Sequence, residues 1–243
     1  MMGLEFVLIF VMAFGAAFVQ RVTGFGFGIF IMTVLPYLLP SYGEATTLSG
    51  MLSIMTAVPI LGYIWRHVDW RKLLPILATF LVTSWMAVQL VSMAGDGLLK
   101  RILGAVLILT SIWFYVFNDR VKVKPTLTVQ ASMGTLSGFM GGLFGMQGPP
   151  AVLYFLATAK DKDEYMALAQ CYFLIGNIMM TVYRAQSGYL TGDVGIGWLF
   201  GVVAVFLGVW IGGKVFAKIS SLTLRKLVYL YMAVSGLLAI IFG

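Results

Sequence analysis

The sequence predicts an all-α integral membrane protein made of two inverted repeats. Each repeat is expected to hold one broken, re-entrant helical hairpin followed by three transmembrane helices. Three observations carry this reading. The 243 residues are 60% apolar and only 10% charged, with a mean hydropathy of +0.97. Two of the apolar blocks are about twice as long as the others and are interrupted by glycine or proline. The basic residues fall on one side only if those two blocks fold back on themselves.

Composition comes first. An ordinary soluble domain is nearer half apolar and a quarter charged. Sixteen Lys and Arg with nine Asp and Glu cannot supply a polar exterior for a chain of this length. A secreted domain, a cytosolic enzyme and a nucleic-acid binder are therefore excluded as first readings. The net charge of +7 reports which loops face the cytoplasm, since the chain is set in a lipid bilayer. One cysteine, Cys171, allows neither an internal disulfide nor a cysteine-built metal site. Residues 1–19 are apolar like a signal-peptide core. They lack a basic leading region and a small-residue cleavage site, so the segment is expected to be retained.

Eight apolar blocks follow in order, at 4–39, 45–65, 73–92, 102–117, 127–158, 166–183, 194–213 and 227–242. Six are about the length of one helical crossing at 1.5 Å per residue. The first and fifth are not. The first is broken at Gln20-Arg21-Val22-Thr23-Gly24-Phe25-Gly26-Phe27-Gly28, the fifth at Gly141-Gly142-Leu143-Phe144-Gly145-Met146-Gln147-Gly148-Pro149-Pro150. Such glycine density, or two consecutive prolines, interrupts a helix.

The positive charges decide whether these blocks cross or return. If both return, one side collects Arg66, Arg71, Lys72, Arg120, Lys122, Lys124, Lys160, Lys162, Lys214, Lys218, Arg225 and Lys226. The other side collects only Lys100, Arg101 and Arg184, with Arg21 inside the break. If both cross, the bias disappears. The positive-inside rule favours two hairpins, with half-helices meeting near the midplane. It puts both termini outside a bacterial or archaeal plasma membrane. The halves, 1–125 and 126–243, also resemble each other: Leu99-Lys100-Arg101 matches Leu224-Arg225-Lys226, and Asp69 matches Asp193. Asp69 and Asp193 read as helix N-caps. Three crossings after each hairpin make the repeat inverted. That architecture is typical of secondary transporters, with the binding site where the breaks meet.

Each break presents backbone N–H groups and a positive helix end. Two such ends converging make an anion site. The candidate substrate-binding residues are Gln20, Arg21, Thr23, Gly24, Gly26 and Gly28 from the first break, and Gly145, Gln147, Gly148 and Pro149 from the second. Asn177, in the sixth block, joins them; Gln170 lies on the same helical face. No acidic residue lies in either break, so a cation fits less well. The alternative for the glycines is tight helix packing. The alternative for Arg21 is snorkelling to an interface, which would only fix the hairpin. Arg184 ends the sixth block and reads as an interfacial anchor. Gly26 and Gly148 are the positions where a valine is expected to block ligand approach.

At these residues the sequence resembles the sulfite exporter TauE/SafE family, also called the toluene-sulfonate uptake permease family. The carrying stretches are Gln20 to Gly28, with Pro36 downstream, and Gly138 to Pro150. Arg21 stands where the family usually has glycine. The resemblance implies transport of a small sulfur-containing anion, such as sulfite or an organosulfonate. The membrane potential favours anion exit by about 2.3 kcal/mol per charge per 100 mV, so import would need a coupled cation such as a proton. The acids nearest the apolar blocks, Glu5 and Glu44, sit at block ends, which leans the reading towards export. A channel-like pore and a non-transporting membrane subunit remain as other classes. No Walker lysine motif, dinucleotide fingerprint, metal cluster or Ser/His pair is present, so neither a cofactor nor catalysis is expected.

Overall fold

Five of the long helices described begin where a polar side chain caps them, and they then run through the apolar blocks. The computed structural model describes residues 3–117 and 125–216, with 233–234, 237 and 240–241 near the C-terminus. Almost all of the block at 227–242, and Arg120, Lys122, Lys124, Lys218, Arg225 and Lys226, lie outside the described residues. The order is α1 (Gly3–Thr23), α2 (Phe27–Ile31), α3 (Leu35–Leu38), α4 (Tyr42–Ile64), a 3₁₀ turn at Trp65–His67, α5 (Trp70–Met93), α6 (Asp96–Phe117), α7 (Leu127–Phe144), α8 (Gly148–Thr158), α9 (Lys162–Gln186) and α10 (Gly192–Phe216). No strand occurs among the described residues. Among the described residues, five helices are long and apolar enough to cross a membrane: Leu4–Thr23, Tyr42–His67, Trp70–Met93, Lys162–Gln186 and Gly192–Val215.

These helices are longer than the apolar blocks. Ser41 caps α4 by accepting from Glu44 N at 3.2 Å, and Asp69 caps α5 by accepting from Arg71 N at 3.0 Å. Asp161 caps α9 in the same way, accepting from Glu164 N at 2.8 Å. Each cap adds a polar first turn that hydropathy does not see. Asp193 is not a cap. It lies inside the first turn of α10, and the Thr191 hydroxyl accepts from Val194 N at 3.4 Å instead. An acid there still suits the positive helix end.

The ends of the helices gather at two poles. At one, the Tyr42 N–H donates to Asp96 at 3.0 Å, and Gly43 lies against the Tyr189 ring. The starts of α4 and α6 and the turn after α9 therefore meet there. At the other, Lys72 donates to Glu164 at 2.6 Å and to the Thr158 carbonyl at 2.7 Å. The start of α5, the end of α8 and the start of α9 meet there. Glu164 is buried and also accepts from Lys160 N at 2.6 Å. Removing it strands a half-buried ammonium and an N–H at once. Glu164→Ala is expected to destabilise the fold by about 3 kcal/mol, read as a lowered melting temperature in detergent.

α1 is a correction to the expected short half-helix. Nothing before Gly24 breaks it, so it runs 21 residues. Its return limb is the short pair α2 and α3, and α3 packs on both α1 and α4. The second hairpin is α7 and α8, of 18 and 11 residues. α7 lies tightly along α5. A Cβ at Gly134 would lie 2.0 Å from the Thr79 hydroxyl, one at Gly138 1.8 Å from the Thr83 hydroxyl, and one at Gly142 2.5 Å from Ala87 Cβ. These glycines serve helix packing. α9 is the central helix. Its apolar window is the least hydropathic of the five, 1.4 against 2.3 for α10, and the most buried, 67% against 33%. Its polar side chains are thus shielded from lipid, as expected of a helix that lines a pathway.

Candidate functional site

The two breaks touch each other. Gly28, at the start of α2, lies so close to the second break that a Cβ there would sit 2.1 Å from the Gly145 carbonyl oxygen. Gly24, Gly26 and Gly145 have φ of 86°, 101° and 68°, a region that side chains other than glycine rarely enter. Gly145 ends α7 in a left-handed turn: its N–H donates to the Gly141 carbonyl at 2.9 Å, and Met146 N donates to Met140 O at 3.2 Å. That pattern closes the helix end without a side chain. α8 then restarts at Gly148 with Pro149 in its first turn, where a missing N–H costs nothing.

Between the breaks lies a cavity of about 20 Å³. Gln20, Gly26, Gly28, Gly145, Gln147, Gly148 and Asn177 all line it, from the candidate set. Ser53 of α4 and Phe173 of α9 complete the polar and aromatic wall. The volume suits about one water molecule.

The polar side chains at the cavity are held from several helices. Gln20 is 1% exposed and donates to the Thr56 hydroxyl at 2.7 Å and to the Gln170 amide oxygen at 3.1 Å. Gln170 in turn donates to the Gly24 carbonyl at 2.9 Å. This chain ties α1, α4 and α9 to the first break. Asn177 donates to the Ser53 hydroxyl at 3.0 Å. Gln147 donates to the Phe173 carbonyl at 3.5 Å, while its amide oxygen is buried with no partner. Its main-chain carbonyl accepts from Ser137, which accepts from the Tyr172 hydroxyl at 2.7 Å. Gln147 is thus fixed at the backbone and only weakly tied at the amide.

The other candidates lie apart from the cavity wall. The Thr23 hydroxyl is engaged in shaping the break, donating to Val19 O at 2.9 Å and to Phe25 O at 2.7 Å. A Cβ on Gly24 would meet Tyr165 and Met166 at 2.8 Å, so this residue brings the break against α9. Pro149 is buried at the start of α8. Arg21 lines a separate groove of about 490 Å³ with Tyr63, Lys162, Asp163 and Trp210. Gly148 does line the cavity. The nearest atoms to a Cβ there are at 3.7 Å, in Phe173, so a small side chain fits.

Arg184 corrects the sequence reading most. It is no interfacial anchor but is 1% exposed. Its guanidinium donates to Thr46 O at 2.9 Å, Gly141 O at 2.8 Å and Gly142 O at 3.3 Å. It therefore joins α4, α7 and α9 just behind the second break. At the end of α7 the guanidinium gives the Gly142 carbonyl a donor and adds a second one to the Gly141 carbonyl, which already accepts from Gly145 N–H. Position at a block end gave no signal for this, because all three partners are main-chain atoms far away in sequence.

The profile of the sulfite exporter TauE/SafE family matches residues 9–239. The chain belongs to the sulfite exporter TauE/SafE family. Among curated relatives, a probable sulfite/organosulfonate exporter TauE of Cupriavidus necator is 24% identical over 86% of this chain and 84% of its own length. A probable membrane transporter protein of Methanocaldococcus jannaschii is 23% identical over 95% of this chain and 93% of its own. A probable membrane transporter protein YunE of Bacillus subtilis is 32% identical over 49% of this chain and 43% of its own. No solved structure matches the chain. With its apolar helices, membership makes this TauE/SafE protein a multi-pass membrane transporter.

Proposed function

We propose that this protein is a secondary transporter that exports a small sulfur-containing anion, sulfite or an organosulfonate, by alternating access around the two breaks. The observation that carries the reading is the contact of Gly28 with Gly145 beside a small cavity lined by amides and helix starts. Such a site offers neutral and partly positive donors and no carboxylate. It suits an oxyanion. Because the cavity holds about one water, substrate passage requires the breaks to part on each side in turn. Export runs down the membrane potential and needs no coupled cation. The C. necator relative is named for sulfite or organosulfonate export, which supports the substrate class. Purified protein is expected to be stabilised against heat by sulfite or a sulfonate more than by chloride at equal ionic strength. Stabilisation by cations or neutral solutes alone would contradict the anion reading.

In this reading the halves 1–125 and 126–243 are inverted repeats, and the pole with Arg66, Arg71, Lys72, Lys160 and Lys162 faces the cytoplasm. Both termini then lie outside. Single cysteines placed in a Cys171→Ala background test this in intact cells. A cysteine at His67 should resist an impermeant thiol reagent, and cysteines at Gly95 and Gly188 should react. Reaction at His67 with protection at Gly188 would reverse the orientation.

A further inference from the structure

Arg184 is a buried cation whose three hydrogen-bond acceptors are all main-chain carbonyls. A guanidinium has five N–H donors and a full positive charge. Carbonyl dipoles satisfy some of the donors but do not cancel the charge. A desolvated charge in this position draws in an anion.

Beside it lies a gap about one methyl group wide, edged by polar groups. Gly50 of α4 faces the guanidinium: a Cβ there would lie 3.4 Å from Arg184 Nη1, 3.6 Å from Asn177 Oδ1 and 3.6 Å from Thr181 Oγ1. The missing side chain leaves a notch between Asn177 and Arg184. Ser49 lies on the same face of α4 as Thr46, which binds Arg184, and Ser53, which binds Asn177. Its hydroxyl is buried, at 1% exposure, with no hydrogen-bond partner. The Tyr42 hydroxyl, within electrostatic reach of Arg184, is also buried and unpartnered. Orphaned hydroxyls beside an uncancelled cation are the donors that an oxyanion would take up.

The notch also lies on a path. Asn177 lines the cavity between the breaks. Arg184 is seven residues further along α9, about 10 Å at the helical rise. The direction is towards the pole where α4 and α6 begin, the pole read above as outward. We propose that Arg184, with Ser49, Asn177 and the bare face of Gly50, forms a second subsite for the transported anion, one step outward of the break cavity. The anion would take guanidinium donors from the Gly141 and Gly142 carbonyls. That exchange would loosen the end of α7 as the anion leaves. This rests on the transport reading given above.

The test is sulfite binding by purified full-length protein, with melting temperature as a second readout. Gly50→Ala fills the notch without a contact shorter than 3.4 Å. It should therefore keep the wild-type melting temperature and bind sulfite about tenfold to a hundredfold more weakly. Arg184→Lys keeps the charge but loses the two-pronged donor, and should weaken binding by a similar factor. Asn177→Asp, nearly the same shape, supplies a fixed negative charge beside the guanidinium and should abolish binding in a folded protein. Wild-type affinity in Gly50→Ala and Asn177→Asp, with Arg184→Lys altering only the melting temperature, would make Arg184 a structural tie and overturn the proposal. If the wild type itself binds no sulfur oxyanion, the transport reading falls and this subsite falls with it.

Discussion

Gly28→Ala is expected to abolish transport while the protein still reaches the membrane. The added methyl would lie 2.1 Å from the Gly145 carbonyl oxygen and 3.6 Å from Met146 Cα. Backbone, not a flexible side chain, stands in its way, so the two breaks must separate. On the alternating-access proposal their contact closes the site, and a protein held open at this point could not alternate. Substrate uptake into inverted vesicles, normalised to the amount of protein in the membrane, measures this. The same substitution at Gly148 is the control from within the site. Its Cβ meets nothing nearer than 3.7 Å, so Gly148→Ala should retain most activity. Equal loss at both positions would mean that any side chain in the breaks is harmful, and that the Gly28 contact has no special role.

Gln147→Ala is expected to weaken substrate affinity by about tenfold to a hundredfold with little change in melting temperature. One hydrogen bond to a charged ligand contributes roughly 1.5–3 kcal/mol. The amide makes one long bond, at 3.5 Å to the Phe173 carbonyl, so its removal takes little from the fold. The tie that positions the residue runs from Ser137 to its main-chain carbonyl and survives the substitution. Titration of sulfite against intrinsic fluorescence, on the variant and the wild type, gives the ratio of dissociation constants. An unchanged constant would remove the Gln147 side chain from the site. A fallen melting temperature with an unchanged constant would make the amide a structural group.

The parts of the fold that could be read from sequence are those set by local chemistry. Gly24, Gly26 and Gly145 mark the breaks because backbone at positive φ needs glycine. Asp69 shows itself as a cap because it stands one turn ahead of the apolar run that starts at Leu73. Helix lengths were hidden, since the first turns begun by Ser41 and Asp161 are polar and look like loop. Asp193 misled because Thr191, two residues earlier, offers a hydroxyl in better register. Glycine also carries two meanings with one letter. Gly138 and Gly142 sit in the same motif as Gly145, yet they serve contact with α5, and the residues that make this plain, Thr83 and Ala87, are more than 50 positions away. Arg184 was illegible for the same reason. Its neighbours in sequence mark an interface, whereas its neighbours in space are the carbonyls of Thr46, Gly141 and Gly142.

The placement of Arg21 follows a similar logic. Sequence puts it inside the first break, but a helix that continues to Thr23 turns it away from the cavity towards Gly212 and Gly213 of α10. Gln20 lines the cavity and the adjacent Arg21 lines the groove, because neighbouring residues point about 100° apart on a helix. Arg21→Gly would leave that groove without its guanidinium and the cavity wall unchanged.

Counterflow in proteoliposomes tests the central claim most directly, that two touching breaks form one carrier site for a sulfur oxyanion. Vesicles holding purified protein are loaded with unlabelled sulfite and diluted into a trace of radiolabelled sulfite. The account predicts a transient accumulation of label in wild-type vesicles, competed by a sulfonate and absent with Gly28→Ala. No accumulation with active wild-type protein, or the same accumulation with Gly28→Ala, would contradict it.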